Sequence, residues 1–464
     1  MLVGKKARLD GSTIVARDED YDQGFNEKRF VYYPAKNYDE LFVSKGNGVE
    51  IPLKGEGCGF TAVRDAVEDY GRFDEQGINS YNVAMSATES EASNRRVLGH
   101  DPFVKNGIGE DSMLYLVLPF IKTAREGVER LGRLVEQYGS SESNGIAFGD
   151  ENEIWYMEIV TGHHWVAQRI PDDCYAATGN RVAIQQVNFD DPDNFMWSEG
   201  IQEFVEKHHL NPDHEGWNFR HIFGTNTQFD HHYNTPRVWF VQRYFNPVAA
   251  ANQTPESSEM PFIRKPERKI AVEDIQYILK SHYNETKYDP LGDGNEHDRK
   301  VYRAISLSRT AQSHILQMRN SVDSKHAAVQ WIEMGVPSFN AYVPFFANAD
   351  DTDVSYRELP KKMDLKSAFW LNEALAMVVE AHYSEFNQAD LDFQKELGEW
   401  CRRKIHEVDE HAKKLAGKQL TTYLTGQNHE IASHCNAKAK ELLFDLMTQG
   451  TELSKLTFKM DPNL

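Results

Sequence analysis

The sequence predicts an α/β protein of the α+β kind, in which antiparallel sheets come first and a helical region follows. In the N-terminal half, short runs of apolar and β-branched residues lie close together and are separated by polar turns. From about Leu365 to Leu456, long charged segments follow the period of an amphipathic helix, with few glycines and no proline. We therefore predict a layered domain over residues 1–360 and a helical C-terminal region over residues 361–464.

The individual elements follow from local composition. The strand candidates are short and rich in apolar or β-branched residues: Leu2–Arg8, Thr13–Arg17, Phe30–Tyr33, Gly59–Val63, Tyr81–Ser86, Gly145–Phe148, Glu153–Ile159 and His164–Arg169. The helix candidates show helical periodicity: Ser112–Ala124, Gly127–Tyr138, Ser198–Lys207, Leu365–His382, Gln388–Ala416 and Glu430–Leu456. The close spacing of the strands favours antiparallel pairing.

The first two strands are predicted to form a hairpin. The Asp-Gly dipeptide at residues 10–11 is typical of a two-residue turn. With this turn, Met1 lies opposite Asp20 and close to Arg17, and we place the acidic residues 18–20 in a loop. An arginine and a carboxylate beside a free N-terminus could orient and tune a terminal amine, although surface charges on a hairpin would look the same.

The charge balance excludes a polyanionic partner. The 464 residues include 51 Lys and Arg against 71 Asp and Glu, which gives a net charge of −20. Binding of a phosphate backbone needs a basic stripe that releases counterions, and the sequence has no run of Lys and Arg. A small substrate therefore fits this chain better than DNA, RNA or an anionic membrane.

Targeting signals and cysteine usage indicate the cytoplasm. No apolar stretch approaches the roughly 20 residues of a membrane helix, and the first residues lack the apolar core of a signal peptide. The four cysteines, Cys58, Cys174, Cys401 and Cys435, form no CxxC pair. Neither a disulfide framework nor a zinc site is expected from so few, widely spaced cysteines.

Several long motifs then occur in a recognisable order. They are residues 2–7 (LVGKKA), 10–13 (DGST), 16–20 (ARDED), 77–79 (GIN), 84–90 (AMSATES), 153–158 (EIWYME), 162–167 (GHHWVA), 234–239 (NTPRVW), 309–314 (RTAQSH) and 342–346 (YVPFF). Together they resemble the cysteine dipeptidases typified by dipeptidase A of lactic acid bacteria. This family belongs to the N-terminal nucleophile hydrolases and has the secernins as relatives.

The resemblance implies a fold and an activity. The fold is a four-layer αββα sandwich of the N-terminal nucleophile hydrolase type, followed by a helical C-terminal extension. The activity is hydrolysis of dipeptides of broad composition through a thioester acyl-enzyme. The resemblance implies dipeptides as substrates and no metal or organic cofactor, and it leaves a homo-oligomer open.

One departure concerns the nucleophile. In this family, the nucleophile is a cysteine at the mature N-terminus, followed by Thr-Thr, an aliphatic residue and Leu-Val-Gly-Lys. Here Met1 stands at the aliphatic position, so the sequence carries no matching cysteine. We expect a start assigned too far downstream, with the nucleophile just before Met1. The alternatives are a shortened chain and a catalytically silent, secernin-like scaffold or ligand-binding protein.

The resemblance also implies site residues. Arg17 matches an arginine that favours the thiolate, and Asp20 matches a carboxylate that holds the α-amine or the substrate's amino group. Asn180 resembles the donor of an oxyanion hole, and Arg237 resembles a second arginine that fixes the network or meets a carboxylate. Thr88 could add an oxyanion contact. From the residues alone, an ion pair, a turn residue and a helix-end arginine explain these positions as well.

Two other arrangements compete with this assignment. Cys58 could replace the missing nucleophile, but an internal cysteine offers no α-amine. His406 and His411 resemble a zinc-peptidase motif with one residue too many, so on a helix they lie roughly 140° apart and cannot share one ion. A metallopeptidase is therefore the weaker hypothesis.

Overall fold

The computed structural model describes residues 1–21, 26–67, 71–88 and 92–456. Within these ranges the chain forms four layers, with two antiparallel sheets in the middle and helices on both outer faces. The αββα arrangement that the resemblance implies is confirmed.

The secondary structure of the described ranges alternates short strands and helices before the helical C-terminal region. The strands are β1 (Leu2–Val3), β2 (Thr13–Asp20), β3 (Lys28–Tyr33), β4 (Lys36–Val43), β5 (Glu50–Gly57), β6 (Phe60–Asp65), β7 (Gln76–Asn79), β8 (Ala84–Thr88), β9 (Asn144–Gly149), β10 (Ile154–Ile159), β11 (Trp165–Ile170), β12 (Tyr175–Ala176), β13 (Phe195–Trp197), β14 (Ile263–Arg264), β15 (Thr310–Met318), β16 (Ala328–Met334) and β17 (Val343–Phe346). The helices are α1 (Arg95–Leu98), α2 (Glu110–Val117), α3 (Ala124–Tyr138), α4 (Ile201–Lys207), α5 (Phe219–Phe223), α6 (Gln228–Tyr233), α7 (Thr235–Phe245), α8 (Val272–Leu279), α9 (Glu296–Arg299), α10 (Val354–Arg357), α11 (Ala368–Ala381), α12 (Tyr383–Ala412) and α13 (Gly417–Gly450).

The two large sheets have different topologies. Sheet 1 has the strand order β14-β12-β1-β2-β15-β16-β17, and sheet 2 has the order β13-β11-β10-β9-β8-β7-β6-β3. Strands β4 and β5 form a separate hairpin. Neighbouring strands in the described ranges run antiparallel, as predicted from their close spacing. At the centre of sheet 1, β2 pairs with β15, which lies far along the chain.

The predicted register of the first hairpin is wrong. Met1 exchanges two backbone hydrogen bonds with Ala16, at 2.6 and 2.9 Å, so it lies opposite Ala16 rather than Asp20. The connection between β1 and β2 spans residues 4–12 instead of a two-residue turn. Two amides of this connection donate to the carbonyl of Asp172, and this long-range contact holds the wider loop.

Residues 18–20 are the end of β2 rather than a loop. A run of acidic residues usually faces water, but here other segments supply partners: Asp18 accepts from Ser313, and Asp20 accepts from Arg303. These partners lie almost 300 residues away in sequence. The local pattern therefore could not reveal that the strand continues.

The sheets pack face to face over an apolar core. Val15 and Leu316 of sheet 1 share this core with Ile78 and Ala147 of sheet 2. Gly149 allows the close approach, because a Cβ atom at this position would lie 2.8 Å from Cε of Met318. Burial of these apolar side chains is the main stabilising contribution between the two layers.

Helices cover the outer faces. Helices α2 and α3 pack on β8, β9 and β10 of sheet 2, whereas α8, α11 and α13 pack on β15, β16 and β17 of sheet 1. The predicted three-helix C-terminal region is confirmed, although α13 begins at Gly417 rather than Glu430. The domain boundary at 360/361 stays a prediction.

A buried ion pair joins the C-terminal helices to sheet 1. Arg319, directly after β15, binds Asp409 of α12 through two parallel hydrogen bonds of 2.6 and 3.0 Å. The same guanidinium donates to the carbonyl oxygens of His326 and Ala327. Both charged side chains are about one-tenth exposed, so each depends on the other for compensation.

Helix α3 packs closely against sheet 2 at a position where the helix carries a glycine. A Cβ atom at Gly132 would lie 2.2 Å from Cζ2 of the buried Trp165. We expect Gly132→Ala to destabilise the protein by about 1–3 kcal/mol, because overpacking outweighs the gain in helix propensity. Urea unfolding followed by circular dichroism measures this change.

Gly398 of α12 is the matched control, since a Cβ atom there has no neighbour within 4 Å. Gly398→Ala should stabilise the protein by up to about 1 kcal/mol. Equal effects of the two substitutions would contradict the steric explanation.

No helix in the described part of the chain is long and apolar enough to cross a membrane.

Candidate active site

A cavity of about 610 Å³ opens where β1 begins. It is bordered by the second half of β2, by the segment after β12, and by residues from α7 and α8. The five residues proposed from sequence all line it: Arg17, Thr88, Asp20, Asn180 and Arg237. Their sequence positions span more than 200 residues, and the fold brings them together.

Arg17 extends into the space between the sheets, on the same face of β2 as Val15. Its Nη2 donates to Oε2 of Glu75 at 2.6 Å, and its Nε donates to Oγ of Ser86 at 3.1 Å. Burial alone lowers the pKa of the Arg17 guanidinium, but Glu75 and Glu110 outweigh it and raise that pKa. The guanidinium is therefore a fixed positive charge beside the cavity.

Next to Arg17, on the same face of β2, a second set of charged side chains is buried between the sheets. Lys28 binds both Glu19 and Asp65, and its side chain is fully buried. Glu19 also accepts from Nε2 of Gln312 at 2.9 Å. These contacts hold the end of β2 in place, because a buried charge without its partner is strongly unfavourable.

The carboxylates of Asp18 and Asp20 lie on the opposite face of β2. Burial raises the pKa of Asp18, and the neighbouring Asp20 adds to this shift. Asp20 accepts from Thr310 and from Arg303, one bond at each oxygen. Each carboxylate oxygen has a further lone pair, so Asp20 can still accept from an amine in the cavity.

Asn180 is held in place through hydrogen bonds of its backbone. Its amide donates to Oδ1 of Asn234 at 2.8 Å, and its carbonyl accepts from Nδ2 of Asn234 at 2.9 Å. Arg237 donates to the same Oδ1 at 2.7 Å. Asn234, which lies just before α7, thus connects the two predicted residues and fixes how they face the cavity.

The α-amine of Met1 lies in the cavity wall. Burial lowers its pKa to about 5, although Asp18 opposes this shift. The surroundings therefore favour the neutral form of this amine near pH 7.

None of the four cysteines lines the cavity described here. Cys58 lies after β5, where its thiol contacts the carbonyl of Leu118, and burial raises its pKa. Cys401 and Cys435 face each other between α12 and α13. No cluster of three or more His, Cys, Asp or Glu side chains in the described residues is arranged to hold a metal ion.

Sequence reasoning missed several residues of the cavity. Glu75 and Arg303 lie outside every motif, and their partners are 58 and 283 residues away. Ser86 and Asn234 are within quoted motifs, but no local signal marks their contacts. Residues 89–90 of the motif that contains Thr88 lie outside the described residues.

Comparison with known proteins identifies the family. The sequence model of Peptidase family C69 matches residues 1–396. The chain belongs to this peptidase family. It is 58% identical over 465 residues to a "Probable dipeptidase" of Latilactobacillus sakei, an alignment that covers 100% of this chain and 98% of that relative.

More distant relatives cover the same length. "Dipeptidase A" of Lactobacillus helveticus is 38% identical over 473 residues, which covers 99% of this chain and 98% of the relative. Among solved structures, a penicillin V acylase from Agrobacterium tumefaciens aligns with 11% identity and a TM-score of 0.32, over 74% of this chain and 84% of that chain. A similarity this low adds nothing to the family assignment.

Proposed function

We propose that the protein is a cysteine-type dipeptidase that splits dipeptides of broad composition by an N-terminal nucleophile mechanism. The observation that carries the proposal is the convergence of Arg17, Asp20, Asn180 and Arg237 on one cavity at the beginning of β1. The family and the dipeptidases named above, which align over nearly the whole chain, support it.

The register of β1 supports the position of the nucleophile. Met1 lies opposite Ala16, so a strand that continues before Met1 runs beside Arg17 and Asp18 and reaches Glu19. In the family pattern, Cys-Thr-Thr occupies these positions. The thiol would then lie on the face of the sheet that carries Arg17 and Glu19, at the edge of the cavity.

The chemistry follows from these positions. The thiolate attacks the peptide carbonyl carbon, and the α-amine of the same cysteine receives the thiol proton and passes it to the leaving amine. Arg17 favours the thiolate, and Asn180 donates to the oxyanion. Water then hydrolyses the thioester, which releases the second product and restores the thiol.

The second candidate is a silent scaffold or ligand-binding protein. The observation that favours it is that none of the four cysteines of this chain lines the described cavity. Such a protein would bind a small ligand in the cavity without turning it over.

A hydrolysis assay separates these functions. The protein is prepared with Cys-Thr-Thr-Ile in place of Met1, with the cysteine as free N-terminus, and amino acids released from a dipeptide panel are quantified. Activity that iodoacetamide abolishes and a chelator leaves intact supports the dipeptidase. No activity in a correctly folded sample favours the scaffold, and loss of activity with chelator only would indicate a metallopeptidase.

Glu75 is a positioning residue for Arg17 in this mechanism, because it binds the guanidinium at 2.6 Å. In the cysteine-bearing form, Glu75→Gln should lower kcat by roughly 10- to 100-fold, since a charge-assisted hydrogen bond is replaced by a weaker one. The pH profile of thiol alkylation should shift, because the Arg17 guanidinium is then neither held in place nor balanced by the Glu75 carboxylate.

Glu56→Gln, at an exposed position of β5, is the matched control and should leave both quantities unchanged. An unchanged alkylation profile in Glu75→Gln would refute the positioning role.

A further inference from the structure

We propose that Arg303, together with Arg237, forms a subsite that binds the C-terminal carboxylate of the dipeptide. This inference rests on the proposed function and names the group that limits the substrate to two residues. Arg303 lies outside every motif that the sequence analysis used, and it reaches the cavity from the segment before β15.

The two guanidinium groups share one aromatic ring. The Cζ atom of Arg237 lies 4.9 Å from the ring centre of Tyr233, and the Cζ atom of Arg303 lies 5.5 Å from it. All three side chains line the cavity. Contact with one ring holds both guanidinium groups at the same part of the cavity wall, where their N–H donors can meet one carboxylate.

Both arginines keep donors that the described residues do not use. Arg303 donates through Nη1 to the carbonyl of Ala304 and through Nη2 to Asp20. Arg237 donates through Nη2 to Asn234 and to the carbonyl of Tyr233. The Nε atom of each is buried and has no acceptor among the described residues, whereas a guanidinium has five N–H donors.

The charge balance of the cavity wall around Tyr233 also favours the binding of an anion. Asp20 is the one carboxylate that contacts either guanidinium among the described residues, so one positive charge is left over. Burial lowers the pKa of Arg237 to about 10, and Arg303 contributes to this shift. A substrate carboxylate would compensate the excess charge.

The other acidic side chains that line the cavity have a basic partner or are buried in a way that favours the neutral form. Glu75 and Glu110 lie beside Arg17, and Glu19 binds Lys28. Oδ1 of Asp18 accepts from Ser313, and burial raises the pKa of this carboxyl group, which favours its neutral form. The region around Tyr233 is therefore the part of the cavity wall where an incoming carboxylate meets positive charge that an acidic side chain does not already balance.

This subsite explains a preference for dipeptides. The carboxylate of a dipeptide lies one residue beyond the scissile bond. A longer peptide would present a neutral amide there and would leave a buried guanidinium without compensation. We expect the loss of a charge-assisted hydrogen-bond pair to weaken binding by about 10- to 100-fold.

Calorimetry on the chain that begins with Met1 tests the subsite without turnover. The probes are L-alanyl-L-leucine and the same dipeptide with a C-terminal amide. The wild-type chain should bind the free acid at least about 10-fold more tightly than the amide. Arg303→Met should remove this preference, and Arg303→Lys should restore part of it.

Arg243→Met is the matched control. Arg243 is on α7 and stacks on Trp239 with its Cζ atom 5.5 Å from the ring, but it does not line the cavity. Its replacement should leave the preference for the free acid unchanged. Thermal melts verify that each variant is folded.

The possible results are distinct. Equal affinity of the wild-type chain for acid and amide, or no binding of either, overturns the subsite. A preference that persists in both Arg303 variants places the carboxylate elsewhere and also overturns it. If the acid is preferred through Arg303 but the cysteine-bearing form hydrolyses no dipeptide, the subsite stands and the proposed dipeptidase activity fails.

Discussion

Dipeptide hydrolysis should rise at least about 1000-fold when Cys-Thr-Thr-Ile replaces Met1 and the cysteine is the free N-terminus. The reason is that both the nucleophile and its base belong to this one residue. Without them, Asn180 and the arginines can still bind a dipeptide and polarise its carbonyl, but no atom attacks it. The rate of amino acid release at saturating dipeptide measures the effect.

Two controls separate the thiol from the amine. A form with serine in place of the added cysteine keeps the amine and should lose most of the activity, since a hydroxyl is a much weaker nucleophile at neutral pH. A form with one glycine before the cysteine keeps the thiol, but its free α-amine belongs to the glycine and no longer to the cysteine. Equal rates in the cysteine-bearing form and in the chain that begins with Met1 would refute the mechanism.

Asp409→Ala should destabilise the protein by about 3–5 kcal/mol, because it leaves the buried guanidinium of Arg319 without its carboxylate. The loss acts at the junction between sheet 1 and α12. Unfolding in urea, followed by circular dichroism, gives the change in the free energy of unfolding. A loss below about 1 kcal/mol would contradict the interpretation of this pair as mutually dependent.

Two variants test the cause. Glu430→Ala removes an ion pair with Lys404 that also involves α12, and because the Glu430 side chain is about half exposed, its loss should cost less than about 1 kcal/mol. The double replacement of Arg319 by Met and Asp409 by Leu removes both buried charges and should recover most of the stability. Recovery would attribute the loss to the uncompensated charge rather than to the missing contact.

The order of strands followed by helices could be predicted from sequence because it depends on local patterns, whereas the four layers are implied by the family resemblance. Short runs of apolar and β-branched residues mark strands such as β2 and β10, and helical periodicity marks α11 to α13. The register of the first hairpin could not be predicted correctly, although its Asp-Gly dipeptide is a strong turn signal. Asp10 instead accepts from Ser12 and Arg8 inside a wider loop, which contacts distant segments hold in place.

The residues of the candidate site also fall into two groups: those that the sequence could reveal and those that only the fold brings together. Arg17, Asp20 and Arg237 occur within motifs that resemble a family, and Asn180 resembles a residue of the same family, so the sequence could propose them together. Arg303 carries no such signal, since an arginine in a loop is ordinary until the fold places it beside Asp20. Contacts between segments far apart in sequence, rather than residue type, define the rest of the cavity.

The pairing of β2 with β15 sets the order in which the cavity can form during synthesis. Asp20 and Thr310 are partners, so β2 leaves the ribosome long before its neighbour in the sheet exists. At about 5–20 residues per second, this wait lasts roughly 15–60 s. We expect the nascent chain to have no complete active site during this time, because Arg303 and β15 are synthesised late. Translation itself thus delays activity until most of the protein has been completed.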